Sequence, residues 1–403
     1  MQNKYRLLTF AIHDLNPWGG HDRSTLEIAR RLSSKFPTQI YTYTLEDPLG
    51  KSAWGPYDHI KVWPELRKPA IFLTGYFYLN SIWRFNLLPK IKNIQRPVIH
   101  ATGACSFVSD IIQVQFINAT WRKIKSKLEK FELQGVSKTF QYKIKEIYHN
   151  MILNYDIWIE HQVFKKQKSY IAISHQVASE LNAEFGIRDR VHVIHHGVDS
   201  KTFCPVMENV LEREQLRKSL GISCDEVLIV FVGAYARKGL LQAVQTFAAL
   251  EPNIKNKTKL LAIGHGDLDF FKQQAKTLNI ETHLLLMSSI KDIAPYYRAS
   301  DLFLLPTLYE PFGLVILEAM SCGLPVLVSR RAGASELICD GKSGVLIDDP
   351  LDVNKLAHQL GLMIDNPQMR KKLGEQARLV AEKRSWDQVA QEYATVLEPL
   401  LLK

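Results

Sequence analysis

The sequence predicts an α/β protein of two domains, each built on an open parallel sheet. Three observations predict it. The chain has 403 residues, enough for two domains of ordinary size, each burying its own core. Short apolar runs of strand length alternate with stretches of helical periodicity, the pattern of repeated strand–helix units. One such unit is written out in full at residues 301–328, DLFLLPTLYEPFGLVILEAMSCGLPVLV.

In that unit Leu302 to Leu305 reads as a buried strand, and Pro306 ends it. A polar loop follows with Glu310, Pro311 and Gly313. Leu314, Leu317 and Met320 then recur at helical spacing, and Gly323 and Pro325 close the helix in the usual C-terminal order. Val326 to Val328 begins the next strand. In an open parallel sheet the loop after a strand lines the crevice where ligands bind. The N–H groups of Phe312, Gly313 and Leu314 are therefore expected as unpaired donors at a helix start, a place that attracts phosphate. Glu310 sits in the loop, and Glu318 lies one helical turn beyond Leu314, on the same face. Carboxylates beside phosphate are expected to accept hydrogen bonds from sugar hydroxyls. Taken alone, either Glu reads more simply as a solvent-facing acid. The PFG turn between them and EAMSCGLPV behind them favour the ligand-binding reading.

The stretch EPFGLVILE, with seven residues between its two glutamates, resembles the signature of retaining nucleotide-sugar glycosyltransferases of family 4. The resemblance implies two facing Rossmann-like domains with a cleft between them, the GT-B architecture. The boundaries expected are 1–200 for an acceptor-binding domain, completed by a closing helix at about 386–403, and 201–385 for a nucleotide-sugar-binding domain. The linker is expected at roughly 200–222.

The formal net charge is +10, and all of it falls in the first half. Residues 1–200 hold 27 Lys and Arg against 17 Asp and Glu, whereas residues 201–403 hold 24 of each. A basic half implies an anionic partner, whether membrane surface, phosphorylated glycolipid or nucleic acid, unless it is only a solvated surface. No nucleic-acid-binding motif accompanies the charge, so nucleic acid fits worst. The five cysteines are scattered and form no CxxC pair. They read as reduced thiols. Met1 to Arg6 leads straight into an apolar strand without a signal-peptide pattern. A cytoplasmic protein is expected, free or seated on the inner face of the membrane.

Taken in order, Tyr5 to Ile12 reads as the first strand. Asn16, Pro17, Gly19 and Gly20 form a loop before a helix carrying Leu26, Ile28, Ala29 and Leu32. A Gly-Gly pair allows close approach of backbone to a ligand, though alone it marks only a turn. The resemblance places Gly19 and Gly20 toward donor phosphate and acceptor, with Asp22 standing where the family often has Glu. Residues 69–89 are rich in aromatics, but Asn80, Arg84 and Asn86 exclude a membrane-spanning helix. Tyr76, Phe77, Tyr78, Trp83 and Phe85, beside Arg67, Lys68, Arg84, Lys90 and Lys92, suit an interfacial segment and suit a core helix equally well.

His100 is expected at the C-terminal end of a strand, pointing toward the crevice, although a lone His there is more often structural. After the strand Ile111 to Ile117, many family members carry a His that reaches the transferred sugar. Asn118 stands in that place, able to hold a hydroxyl but not to shuttle a proton. The basic stretch 122–145, with Arg122, Lys123, Lys125, Lys127, Lys130, Lys138, Lys143 and Lys145, is the strongest candidate for an anionic contact. Tyr170 to Ser174 is a strand, with Ser174 capping the next helix, and Val191 to Ile194 follows. HHGVD then resembles the family's end-of-domain phrase, with His196 in the slot of its Asn or Tyr.

In the second domain Val227 to Gly233 runs into AYARKGL. A basic pair after the first strand of a nucleotide-binding half can hold a diphosphate, and the family places Arg and Lys here, matching Arg237 and Lys238. Leu260 to Ile263 precedes GHGD. Asp267 and Asp269 are expected to favour a helix start rather than to bind metal. His283 to Met287 leads to a loop expected under the nucleotide base, with Ile290 as the contact. Gly333 and Glu336 resemble the family's G-x-x-E segment.

The function implied is retaining transfer of a hexose from a nucleotide diphospho-sugar, UDP or GDP type, to a hydroxyl of a glycan or phosphorylated glycolipid. No metal and no other cofactor is expected. The family includes lipopolysaccharide core glucosyltransferases with a similar R-K-G turn. A non-catalytic nucleotide-sugar or glycan binder, or a sugar epimerase on the same fold, is the alternative.

Overall fold

The computed structural model describes residues 4–16, 19–45, 58–62, 70–132, 140–165, 168–205 and 210–402. The chain divides into two compact units, Met1–His195 with Asp387–Lys403, and His196–Trp386. Each is an α/β unit on a parallel sheet, as the sequence predicts.

The first unit runs β1 (Leu8–Ala11), β2 (Asp14–Leu15), α1 (Gly20–Leu32), β3 (Thr38–Thr42), β4 (Thr44–Leu45), β5 (Asp58–Lys61), α2 (Ala70–Ile82), a π-helical turn at Trp83–Leu87, and α3 (Leu88–Lys92). It continues with β6 (Val98–Thr102), β7 (Ile111–Val114), α4 (Asn118–Glu132), α5 (Phe140–Val163), β8 (Ser169–Ala172), α6 (His175–Phe185) and β9 (Val191–Val193). The sheet order is β5-β3-β1-β6-β7-β8-β9. Its direction of winding reverses between β1 and β6, where such sheets bind ligands. Strand β3, TQIYT, was not anticipated. It is wholly buried and carries β-branched and aromatic residues, but its Thr and Gln hide it from a search for apolar runs. Gln39 Nε2 donates to Thr9 Oγ1 at 2.7 Å, which satisfies both polar groups inside the sheet.

The second unit runs α7 (Val210–Ser219), β10 (Val227–Ala234), α8 (Leu240–Ala248), α9 (Pro252–Lys255), β11 (Thr258–His265), α10 (Leu268–Thr277), β12 (Leu284–Ser288), α11 (Ala294–Ala299), β13 (Leu302–Leu305) and α12 (Leu314–Ser321). Then come β14 (Val326–Ser329), a 3₁₀ turn at Gly333–Leu337, β15 (Val345–Ile347), α13 (Val353–Asp365) and α14 (Pro367–Glu382). The sheet order is β12-β11-β10-β13-β14-β15, all parallel. Strands β10, β13 and β14 are buried along their apolar runs, as expected when helices cover both faces.

The units meet in sequence at His195–His196, and much of the expected linker is helix α7. Arg217 on that helix donates to Asp301 Oδ2 at 3.0 Å and ties it to the second unit. The last helix, α15 (Trp386–Leu401), belongs to the first unit from Asp387 on. There Arg6 N–H donates to Leu401 O at 2.7 Å, Arg31 pairs with Asp387 and Lys35 with Glu398.

Helix ends follow the sequence signals. Ser174 Oγ accepts from Val177 N–H at 3.1 Å. Asp267 accepts from Phe270 N–H at 3.0 Å, so it caps α10 with Asp269 in the first turn. Gly323, at φ 77°, and Leu324 donate back to Met320 and Ala319, closing α12.

Candidate functional site

The second sheet reverses its winding between β10 and β13. The loops after these two strands carry the residues singled out above, and they are locked together. Leu308 N–H donates to Arg237 O at 3.2 Å. A Cβ on Gly239, at φ 83°, would stand 2.1 Å from Pro306 O, so only glycine fits between the loops. The 331–334 segment holds the second loop from its other side. Glu310 N–H donates to Arg331 O, Gly333 N–H to Glu310 O and Ala334 N–H to Phe312 O, at 2.8–3.0 Å.

Three charged groups converge there. Lys238 Nζ lies 3.2 Å from Glu310 Oε2, and Arg237 Nη1 lies 3.3 Å from the same oxygen. Arg237 also donates to Tyr309 O at 2.8 Å. Lys238 and Glu310 are 9% and 8% exposed, low enough that neither charge belongs there without the other. Burial pushes the Glu310 carboxyl up, but Lys238 and then Arg237 outweigh it and hold the group below the usual carboxylate range. The Lys238 stem crosses the backbone at Gly233, where a Cβ would meet it at 2.3 Å. Gly233 pairs in register with Gly264, whose own Cβ would stand 1.9 Å from Gly233 O. The glycine of GHGD therefore seats the lysine's support.

Beside this cluster Gly313, at φ 97°, starts α12 without a side-chain cap. Among the described residues the N–H groups of Gly313 and Leu314 donate to no protein group. Phe312 is buried with its ring 5.0 Å from His196. Glu318 is 3% exposed and accepts from Tyr297 OH at 3.1 Å. It faces α11 more closely than an acid looking only into a crevice. Tyr297 was missed in the sequence because nothing in APYYRA separates a core tyrosine from one aimed at a carboxylate.

Ile290 is half-buried in the loop after β12. That strand is the sheet's edge, separated from β13 by β11 and β10. The expectation that this loop adjoins the 301–325 unit is corrected: neighbours in sequence are not neighbours in this sheet. At about 4.8 Å per strand the two lie roughly 14 Å apart. Tyr235 OH bridges part of that span by donating to Met287 O at 2.7 Å.

The first unit places its candidates less uniformly. Gly19 and Gly20 begin α1 on the loop after β1, at that sheet's reversal point, while Pro17 and Trp18 lie outside the described residues. Gly19 has an ordinary φ of −82°, and a Cβ there would meet Asp22 and Asn16 only at ordinary contact distance, so the fold itself does not require glycine. Asp22 Oδ2 accepts from Asn16 N–H at 3.1 Å and folds the loop back. Burial raises its carboxyl to about 6.

His100 contradicts the expectation. Strand β6 continues to Thr102, so His100 sits in mid-strand, fully buried against Phe10 and Tyr393. Burial lowers its imidazole to about 3. It is a neutral core residue, not one at the mouth of a crevice.

Asn118 opens α4, and its side-chain amide is already engaged. Glu160 Oε1 accepts from Asn118 N–H at 2.7 Å and from Asn118 Nδ2 at 2.9 Å, and Oε2 accepts from Ala119 N–H at 3.2 Å. Glu160 is thus a buried cap for α4, supplied from α5. No local sequence signal announces it, because cap and helix start are 42 residues apart.

His196 and Gly197 explain HHGVD. A Cβ on Gly197 would stand 2.9 Å from the backbone at Ser385 and Trp386. Val198 N–H donates to Arg384 O at 2.9 Å.

Two α/β units, each on a parallel sheet, with paired cations and a carboxylate at the second sheet's reversal point, have the architecture of the GT-B glycosyltransferase family. The chain belongs to that family. Its first unit matches the family model Glycosyltransferase Family 4 over residues 18–202, and its second matches Glycosyl transferases group 1 over residues 212–380.

Among curated relatives it resembles D-inositol 3-phosphate glycosyltransferase of Xylanimonas cellulosilytica, 29% identical over 57% of each chain. The chain spans a little over half the length of such relatives. Among solved structures it superposes on WaaG, a glycosyltransferase involved in lipopolysaccharide biosynthesis, with a TM-score of 0.73 at 19% identity, over 96% of this chain and 99% of that one. It also superposes on Anabaena HepE in complex with UDP and glucose, with a TM-score of 0.71 at 19% identity, over 98% and 100%. At that identity these likenesses show the fold.

Proposed function

We propose that this protein transfers a hexose, with retention, from a nucleotide diphospho-sugar to a hydroxyl of a glycan or anionic glycolipid. The observation that carries the reading is the Lys238–Glu310–Arg237 cluster beside the uncapped start of α12. The chemical difficulty is charge: the departing nucleoside diphosphate becomes more negative as the anomeric carbon becomes cation-like. Lys238, Arg237 and the Gly313 and Leu314 amides meet that charge in a preorganised, largely buried setting. Two side-chain cations and a helix start supply what a metal ion otherwise supplies, so the reaction is expected to run without one.

Glu310 serves two ends in this reading. In the free protein it neutralises the two cations. With donor bound, the phosphates take over that role, and the carboxylate is released to hold sugar hydroxyls. Glu318, with Tyr297, takes the ribose, and Ile290 the base. The acceptor oxygen attacks the anomeric carbon on the face that the diphosphate leaves, the carbon–oxygen bond to the phosphate breaks, and a phosphate oxygen takes the acceptor's proton. In the first unit Gly19, Gly20, Asp22 and Asn118 remain the acceptor- and sugar-side candidates.

HepE was solved with UDP and glucose, which makes UDP-glucose the first donor to test. All five cysteines are free thiols, which suits a reducing compartment, and we place the reaction in the cytoplasm. A panel of UDP- and GDP-sugars, scored by thermal shift and then by turnover in a chelator, tests the reading. It predicts stabilisation by one nucleotide class and undiminished turnover without divalent ions. Failure of every nucleotide sugar to bind would overturn it.

A further inference from the structure

The helices after β5 do not behave as a core helix or as a simple surface helix. Phe77, Tyr78 and Phe85 turn inward and are buried, Phe77 against Tyr41 and Tyr43. The outward face is apolar as well. Leu79, Trp83, Leu87, Ile91 and Ile94 stand 43–69% exposed at spacings of four, four, four and three. The first four form one stripe along α2, the π-helical turn and α3, and Ile94 follows just past the end of α3. Helix α5 packs beside α2 and carries a second stripe. Ile147, Met151 and Trp158 are 54–60% exposed, again spaced for one face.

Exposed apolar stripes on adjacent helices exceed the single scattered residues normal for a soluble surface. The charges in the segment that carries the first stripe are of one sign. Residues 70–97 contain Arg84, Lys90, Lys92 and Arg96 and no Asp or Glu. Arg84, Lys90 and Lys92 are exposed within the first stripe, while Arg96 pairs with Asp110. Beside the second stripe, Arg122 donates to Asn154 Oδ1 at 2.7 Å and Lys125 to Asn150 Oδ1 at 3.0 Å. Helix α4 thus lays two cations along α5, each donating to an asparagine of that helix. Of the acids on α5 whose side chains are described, Asp156 and Glu160 fall on the opposite side of the helix, and Glu160 is buried. Among the described residues no helix is long and apolar enough to cross a membrane.

We propose that these two stripes seat the first unit on an anionic lipid surface, with Leu79, Trp83, Leu87, Ile91, Met151 and Trp158 in the apolar boundary. Arg84, Lys90, Lys92, Arg122 and Lys125 would lie among the headgroups. Apolar residues flanked by Lys and Arg are what such an interface selects. A second copy of the chain fits worse, because a two-fold contact through either stripe would set the same cations against each other. The placement does not depend on the donor chemistry, so the two readings fail separately.

The test is co-sedimentation of the full chain with phosphatidylcholine vesicles, with and without phosphatidylglycerol, across a salt series. Binding to the anionic vesicles alone, weakening as salt rises, is expected. Trp83→Ser with Ile91→Ser, and separately Met151→Ser with Trp158→Ser, change only exposed positions, and each pair should weaken binding about ten-fold or more. Lys90→Gln with Lys92→Gln should flatten the salt dependence. Turnover of a water-soluble acceptor should stay unchanged in all three. Equal binding by the Ser variants with unchanged circular dichroism, or equal binding to neutral vesicles, would overturn the proposal. So would a wild-type dimer in light scattering that the Ser variants dissolve, which would assign the stripes to a second copy.

Discussion

Lys238 Nζ lies 3.2 Å from Glu310 Oε2, and the stem that carries it crosses Gly233, a position where no side chain fits. The pair joins the loops after β10 and β13, so one contact serves both the folding of the second unit and its proposed chemistry. Lys238→Ala should therefore have two separable effects. Turnover should fall on the order of 10²–10³-fold, as when one preorganised donor is lost. Stability should fall by about 3 kcal/mol, because a buried carboxylate loses a partner. Urea unfolding and steady-state kinetics measure the two independently.

Glu310→Ala should abolish transfer in a unit that still folds but is less stable by about 3 kcal/mol, because the buried Lys238 ammonium loses its carboxylate partner. The wild-type carboxyl is held below its usual range by Lys238 and Arg237. Its contribution to stability is present above the ordinary carboxylate pKa and is lost as pH falls through the folded value. Acid unfolding of the variant should lack that component. Normal turnover in Glu310→Ala would remove this residue from the site.

Gly239→Ala and Gly264→Ala test the scaffold rather than the chemistry. Their new Cβ atoms would stand 2.1 Å from Pro306 O and 1.9 Å from Gly233 O. Each should cost about 2–4 kcal/mol, more than an ordinary surface change, because backbone must move. Chemical denaturation of the purified variants measures it, with Gly341→Ala, an open position at φ 71°, showing the cost of backbone strain alone.

Glu160 gives the first unit a pH dependence of definite sign. Burial raises its carboxyl to about 7, against the lowering effect of the Asn118 and Ala119 hydrogen bonds. A group with a raised folded pKa contributes stability that is complete below its unfolded value near 4.5 and lost as pH rises through 7. The loss is up to about 3 kcal/mol for this shift. Glu160→Gln should remove that slope between pH 4.5 and 7, as followed by thermal unfolding across the range. An unchanged slope would place the titration elsewhere.

His100 works the other way. Its imidazole is lowered to about 3, so stability is lost as pH falls from the ordinary histidine value of 6.5 toward 3. His100→Leu should flatten that acid limb and leave turnover unchanged. A large loss of turnover without loss of stability would return His100 to the site.

The second unit was more legible than the first, for a physical reason. Its strands are buried on both faces and read as unbroken apolar runs, and its site groups lie in two short loops that begin where those runs end. Arg237, Lys238, Glu310 and Gly313 could each be located from local pattern, and the fold brings them together. What escaped was whatever depends on partners distant in sequence. Strand β3 hid behind polar residues satisfied by a neighbouring strand, and Glu160 caps a helix that begins 42 residues earlier. The outward stripe of α2 and α3 is apolar like the inward face, so periodicity alone could not choose between core and interface. The loop of Ile290 was expected to adjoin the 301–325 unit, but strand order in a doubly wound sheet departs from chain order.

The claim on which the rest depends is that two side-chain cations and a helix start bind the diphosphate without metal. Calorimetric titration of UDP and GDP into wild type and into Arg237→Ala with Lys238→Ala, all in EDTA, tests it most directly. The account predicts that one of the two nucleotides binds the wild type and binds the double variant about 100-fold or more weakly, a loss of about 2.7 kcal/mol or more. Equal affinity in the folded double variant, or binding only after a divalent ion is restored, would contradict it.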